Sequence, residues 1–120
     1  MPPEYKTFDA QWALSRLGDD TILLAEVAQL FIEESRTLMA ALRSAAARQD
    51  AHGVEIAAHT LKGSASNFGA TEFCQDALAL ERSGRRGDSA GIEERLAAFE
   101  RSAARFLREL EQLVADTIPQ

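Results

Sequence analysis

The sequence predicts an all-α fold: an antiparallel up-down four-helix bundle with a short additional N-terminal helix. Three observations carry that expectation. Apolar residues recur at spacings of three and four through most of the chain, with no convincing strand alternation and no internal repeat. Prolines occur only at positions 2, 3 and 119. Long alanine-rich stretches are separated by short polar breaks, and short connections between long helices favour antiparallel neighbours.

Phe8 and Trp12 lie four apart and predict a first helix from about Phe8 to Arg16. Leu17-Gly18-Asp19-Asp20 reads as a stop followed by an N-cap. A long second helix is expected over roughly Thr21–Arg48, with Leu24, Val27, Phe31, Leu38, Leu42 and Ala45 near one stripe. Asp50 reads as the cap of a third helix that runs through His59 to about Asn67, with Gly69 at its exit. A fourth helix, about Thr71 to Arg85, turns Phe73, Ala77 and Leu80 inward, and Arg86-Gly87-Asp88 makes the next turn. The last helix, about Ser89 to Ala115, is the most regular. Ile92, Leu96, Phe99, Ala103, Phe106, Leu110 and Leu113 alternate spacings of four and three, the seam of a helix bundle.

The bulk properties narrow the function classes. A chain of 120 residues is expected to form one domain, 1–120 with a core of about 8–115, large enough to bury a core without disulfides or metal. A net charge of −6 argues against nucleic-acid binding, which needs a basic footprint, and against a polybasic membrane anchor. Cys74 is the only cysteine, so no intrachain disulfide framework and no cysteine-based zinc site is expected. Met1-Pro2-Pro3-Glu4-Tyr5-Lys6 carries no signal-peptide run, and no segment approaches the apolar length of a membrane span. These features lead us to expect a cytoplasmic protein, or a cytoplasmic domain of a longer one, with no direct membrane insertion.

The chemistry concentrates in A-H-T-L-K-G-S-A-S-N-F-G, residues 58–69. On a helical wheel of about 100° per residue with His59 at zero, Lys62, Gly63, Ser66, Glu55 and His52 fall within about 60°. Val54, Ala57, Leu61, Ala65 and Phe68 fall on the opposite side. The apolar residues claim the core, and His59 faces solvent. Lys62 is a solvated lysine or a cation able to offset charge on a phosphoryl group held at His59. Gly63 is a tolerated glycine near a helix end or a bare spot that lets another protein approach the imidazole. Helical glycine costs about 1 kcal/mol relative to alanine, which favours the second reading. Ser66 and Asn67 either donate to the same oxygens or fray the helix end. Ile56, at the edge of the face, offers a partner an apolar contact. His52 reads as a surface residue, because two histidines make a poor metal site.

The stretch H-T-L-K-G-S-A-S-N-F-G resembles the signature of histidine-containing phosphotransfer (HPt) domains, H-x-L-K-G followed by small residues and a glycine. The upstream F-D-A-Q-W-A-L-S-R-L-G-D-D, with Leu23, Leu24 and Phe31, is similar to the opening of HPt domains at the C-terminus of hybrid sensor kinases. The resemblance runs from about Phe8 to Leu113. It implies a helical bundle that relays phosphoryl groups between response-regulator receiver domains in two-component signalling, one of them in a hybrid sensor kinase. His59 matches the phosphorylated histidine, and Lys62 and Gly63 match its neighbours in the motif. The resemblance further implies that Mg²⁺ sits on the partner receiver, with no cofactor on this chain. Glu55, Ile56, Gly63, Ser66 and Asn67 are then the expected receiver-docking face.

Kinase dimerisation domains usually carry an acidic residue directly after the histidine and a proline soon after it. Here Thr60 follows His59, no proline appears, and there is no P-loop. A phosphotransfer carrier without autonomous kinase activity is therefore expected. Two rivals stay open: a chemotaxis-kinase-type phosphoacceptor domain, loaded by an attached ATP-dependent kinase, and a non-catalytic helical interaction module that uses the final helix's seam.

Overall fold

A computed structural model describes residues 4–118. Pro2, Pro3 and Pro119 lie outside the described residues. The elements are α1 (Ala10–Arg16), α2 (Thr21–Ala47), α3 (Ala51–Ala65) with a 3₁₀ turn over Ser66–Phe68, α4 (Thr71–Arg86) and α5 (Ser89–Thr117). The fold is all-α, with four main helices, a short N-terminal helix and no strand among the described residues.

The starts of α1, α2, α3 and α5 follow from local chemistry, whereas Ala70 before α4 offers no side-chain cap. The carboxylates of Asp9, Asp20, Asp50 and Asp88 accept the N–H of Trp12, Leu23, Gly53 and Gly91, each at 3.0 Å. Such caps satisfy donors that have no partner inside the helix and typically contribute about 1 kcal/mol each. The cap at Asp9 corrects the expected start of the first helix. Phe8 precedes the helix and is buried at 6% exposure, held by Asp9 N–H donating to the Phe68 carbonyl at 3.0 Å. The four-residue spacing of Phe8 and Trp12 is therefore not a helical stripe. Trp12 is 39% exposed and lies 4.9 Å beneath the Arg16 guanidinium. The expected end of the third helix is also corrected, because the last residues tighten into a 3₁₀ turn before Gly69 takes φ +65°.

The core is aromatic at its centre. Phe8, Phe31, Phe68, Phe73, Phe99 and Phe106 are all buried. Phe106 on α5 has ring centroids of Phe8, Phe31, Phe68 and Phe73 within 5.1–6.0 Å, so one side chain touches the N-terminal segment, α2, the 3₁₀ turn and α4. Val27, Leu38 and Leu96, expected on the buried stripes, flank the core half-buried. Buried Ser35 satisfies its hydroxyl by donating to the Ile32 carbonyl at 2.8 Å. The N-terminal segment ahead of α1 is tied to α5 by one carboxylate. Glu109 accepts from the backbone N–H of Lys6 and Thr7 and from the Thr7 hydroxyl.

Phe106→Ala removes the shared contact of four segments. We expect it to lower stability by about 3–5 kcal/mol, measured by urea unfolding, with loss of cooperativity between the N-terminal segment and the bundle.

Candidate functional site

α3 carries the histidine. Its inner face buries Val54, Ala57, Ala58, Leu61 and Ala65, each at 5% exposure or less, and that burial fixes the helix's rotation. The opposite face carries His59, whose side chain is 65% exposed. Glu55, Lys62, Gly63 and Ser66 lie on the same side, with Ile56 beside them at 53% exposure.

Behind this face stands α4, very close. A Cβ built on Gly84 would lie 2.8 Å from the Ala51 carbonyl oxygen and 2.8 Å from the Glu55 backbone nitrogen. Only glycine lets the two backbones approach this far. One turn back along α4, Glu81 is 4% exposed and points its carboxylate at the histidine face. Oε1 accepts from Lys62 Nζ at 2.8 Å. Oε2 lies 3.2 Å from His59 Nδ1 and accepts from Arg85 Nη2 at 3.1 Å. Arg85 in turn donates Nε to Glu55 Oε2 at 2.7 Å, and His52 Nδ1 stands 3.6 Å from Glu55 Oε1.

Burial pushes the Glu81 carboxyl up, but the hydrogen bonds and charges of Lys62 and His59 outweigh it and hold the group below the usual carboxylate range. Glu55 is lowered chiefly by its hydrogen bond to Arg85, which is raised by the same bond. Glu81 is thus an ionised group that only accepts, so the hydrogen between it and the imidazole belongs to Nδ1. The neutral ring then carries its lone pair on Nε2, which faces away from Glu81 toward solvent.

The remaining expected site residues fall as follows. Ser66 Oγ donates to the Gly63 carbonyl at 2.6 Å and Asn67 Nδ2 to the Ser64 carbonyl at 3.2 Å, so both side chains donate to the carbonyls that end the helix. A Cβ on Gly63 would meet nothing within 4 Å, so nothing inside the chain requires glycine there. Ser64 Oγ donates to Glu34 Oε1 at 2.9 Å and ties the far side of α3 to α2. Cys74 is half-buried, its Sγ 3.6 Å from the Lys62 carbonyl, and burial pushes its thiol up. No helix is long and apolar enough to cross a membrane among the described residues. Nor do these residues gather three or more His, Cys, Asp or Glu side chains able to hold a metal ion.

Sequence reading missed Glu81, Gly84 and Arg85. A signal was present: Phe73, Ala77, Glu81 and Gly84 follow one another at spacings of four, four and three, which sets an acid on an apolar stripe. Acids are almost never buried without a partner.

Because pairing holds the Glu81 carboxyl below its ordinary value, its contribution has a defined pH window. A depressed carboxyl stabilises the fold fully above its unfolded value of 4.5 and loses that contribution as pH falls through the lower folded value. We expect Glu81→Gln to cost about 1–2 kcal/mol at pH 7. The deficit should close as pH falls below 4.5, read from urea unfolding at stepped pH.

Comparisons with known proteins agree with this architecture. The crystal structure of histidine-containing phosphotransfer protein B from Pseudomonas aeruginosa PAO1 is similar over 94% of this chain and 98% of that chain, with a TM-score of 0.84 and 23% identity. No curated protein matches the sequence. The sequence model of the Hpt domain matches residues 26–117, which take in α3 with His59, α4 with Glu81 and all of α5. The chain belongs to the Hpt domain family.

Proposed function

We propose that this chain is a phosphorelay intermediate that accepts a phosphoryl group on His59 Nε2 from a receiver-domain aspartate and passes it to a second receiver. The observation that carries the reading is the Glu81 contact: a buried carboxylate 3.2 Å from Nδ1 of an exposed imidazole, which leaves the Nε2 lone pair open to solvent.

In the forward step the Nε2 lone pair attacks the phosphorus of the aspartyl phosphate. The N–P bond forms, the P–O bond to the aspartate breaks, and the aspartate leaves as a carboxylate. The ring now carries a phosphoryl group on Nε2 and its hydrogen on Nδ1, hence a positive charge shared over the ring. Glu81 accepts from that Nδ1–H throughout and stabilises the charge as it develops, so its help is stronger in the transition state than before it. No proton has to move, and the reverse step onto a second receiver retraces the path. Phosphoryl transfer asks mainly for positioning and charge neutralisation. Lys62, held beside the ring through Glu81, is the nearby cation, and Mg²⁺ is supplied by the receiver.

The receiver docks over Gly63, where a missing side chain leaves the approach to His59 clear, with Ile56 as the adjoining apolar contact and Glu55, Ser66 and Asn67 at the rim. The chain is a carrier, not an autonomous kinase, and its partners are receiver domains, one of them in a hybrid sensor kinase.

Incubation with phosphorylated receivers should place an acid-labile, alkali-stable phosphate on this chain. His59→Gln, at an exposed position, is expected to abolish labelling with the helical circular dichroism spectrum unchanged; retained label would sink the assignment. Labelling by an ATP-dependent kinase domain and by no receiver would move the protein to the chemotaxis-type phosphoacceptors. Gly63→Glu is expected to reduce transfer at least 100-fold while leaving the unfolding midpoint within error. Normal transfer in that variant would remove Gly63 from the docking face.

A further inference from the structure

The Glu81 contact creates a conflict that the rest of the cluster has to resolve. A carboxylate on Nδ1 favours positive charge on the ring whether that charge comes with a phosphoryl group or with a proton on Nε2. The proton destroys the nucleophile. A buried acid aimed at the histidine therefore needs an opposing charge, and the structure has two. Lys62 takes Oε1 at 2.8 Å, while Arg85 takes Oε2, the same oxygen that faces His59.

We infer that Arg85 is a positioning residue of the transfer site: by sharing Glu81 Oε2 with His59, it keeps the imidazole neutral and its Nε2 lone pair available. The inference rests on the reading of His59 as the phosphoacceptor. The charge count supports it. The ring meets Glu81, which is shared with Lys62 from α3 and Arg85 from α4. Arg85 carries the network on to Glu55 and His52 along α3, while the Cys74 thiol lies at the Lys62 carbonyl and Glu34 of α2 is held by Ser64 on the far side of the helix. The hydrogen-bonded core of this group is two carboxylates, Glu81 and Glu55, and two cations, Lys62 and Arg85. With neutral His59 these four charges balance. Removing the Arg85 charge leaves an excess negative charge beside the ring, and protonation of Nε2 is the way to neutralise it.

Arg85 is held for this task. Nε is fixed by Glu55 at 2.7 Å, so one guanidinium edge is spent on α3 and Nη2 is aimed at Oε2. Its side chain is 65% exposed, so water screens its effect. A unit charge acting through a shared oxygen at an exposed site moves a titration by about 0.5–1 pH unit.

The test is the pH profile of phosphoryl acceptance from a phosphorylated receiver, with the receiver's own stability measured alongside. The His59 Cε1-proton resonance, assigned by comparison with His59→Gln, is followed over the same pH range. Arg85→Gln removes the charge and retains a hydrogen-bonding side chain; Arg85→Lys retains the charge. We expect Arg85→Gln to move the acid limb of the profile and the resonance midpoint upward together, by about 0.5–1 pH unit, whatever the plateau height. Arg85→Lys should return both toward wild type. Coincident Arg85→Gln and wild-type midpoints, or an Arg85→Lys midpoint equal to a displaced Arg85→Gln midpoint, overturn the inference. A lower plateau with no movement of the midpoint does so as well, because it makes Arg85 a docking contact only. A wild-type chain that takes no label at any pH overturns the relay reading instead, whereas a labelled chain with an unmoved midpoint overturns only the role of Arg85.

Discussion

A carboxylate that is 4% exposed has to be paired or it does not stay ionised, and the arrangement of the histidine face follows from how Glu81 meets that requirement. Its partners come from both helices of the α3–α4 pair: Lys62 and His59 from one, Arg85 from its own. Lys62 is therefore drawn back against α4 instead of extending into water, and His59 is held in one tautomer. Gly84 makes this possible. Any larger residue would meet the α3 backbone and open the gap that Glu81 bridges.

The aromatic core and the charged cluster act on the same helix from opposite sides. Phe68, at the end of the α3 segment, packs against Phe8, Phe31 and Phe106. Together with fully buried Leu61 and Ala65 it sets the rotation of α3 from behind. Glu81 then sets the orientation of the imidazole from the side. A site built on a helix that is fixed in both ways is more precise than one on a loop. The face it presents is nonetheless nearly bare at Gly63, where chain packing asks for nothing.

On the proposed reading, these features divide the transfer between two proteins. This chain brings an oriented nitrogen, a balanced set of charges and an uncluttered approach. The partner brings the metal and the activated phosphoryl group. A carrier has to give back what it takes, and the fixed Nδ1–H serves both directions because it neither leaves nor arrives during transfer. On the same reading, the cations Lys62 and Arg85 share the carboxylate with the ring.

The helices and the exposed histidine were legible because both rest on local rules. Apolar periodicity over α2 and α5, aspartate caps at Asp20 and Asp50, and the opposition of His59 to Leu61 and Phe68 need no knowledge of distant residues. The start of α1 was misread because Phe8 owes its burial to a tertiary contact with Phe68 and Phe106 and not to a helical stripe. Ser66 and Asn67 were readable as polar but not as to which acceptors they meet, since that depends on how the helix ends. Glu81 and Arg85 lie 22 and 26 residues beyond His59 in sequence. Only the packing of α4 on α3 brings them to the ring. Sequence by itself determined that a histidine stands exposed on an amphipathic helix in an all-helical chain. Tertiary structure decided which nitrogen of that histidine is free, because that depends on a buried charge whose partners come from two helices.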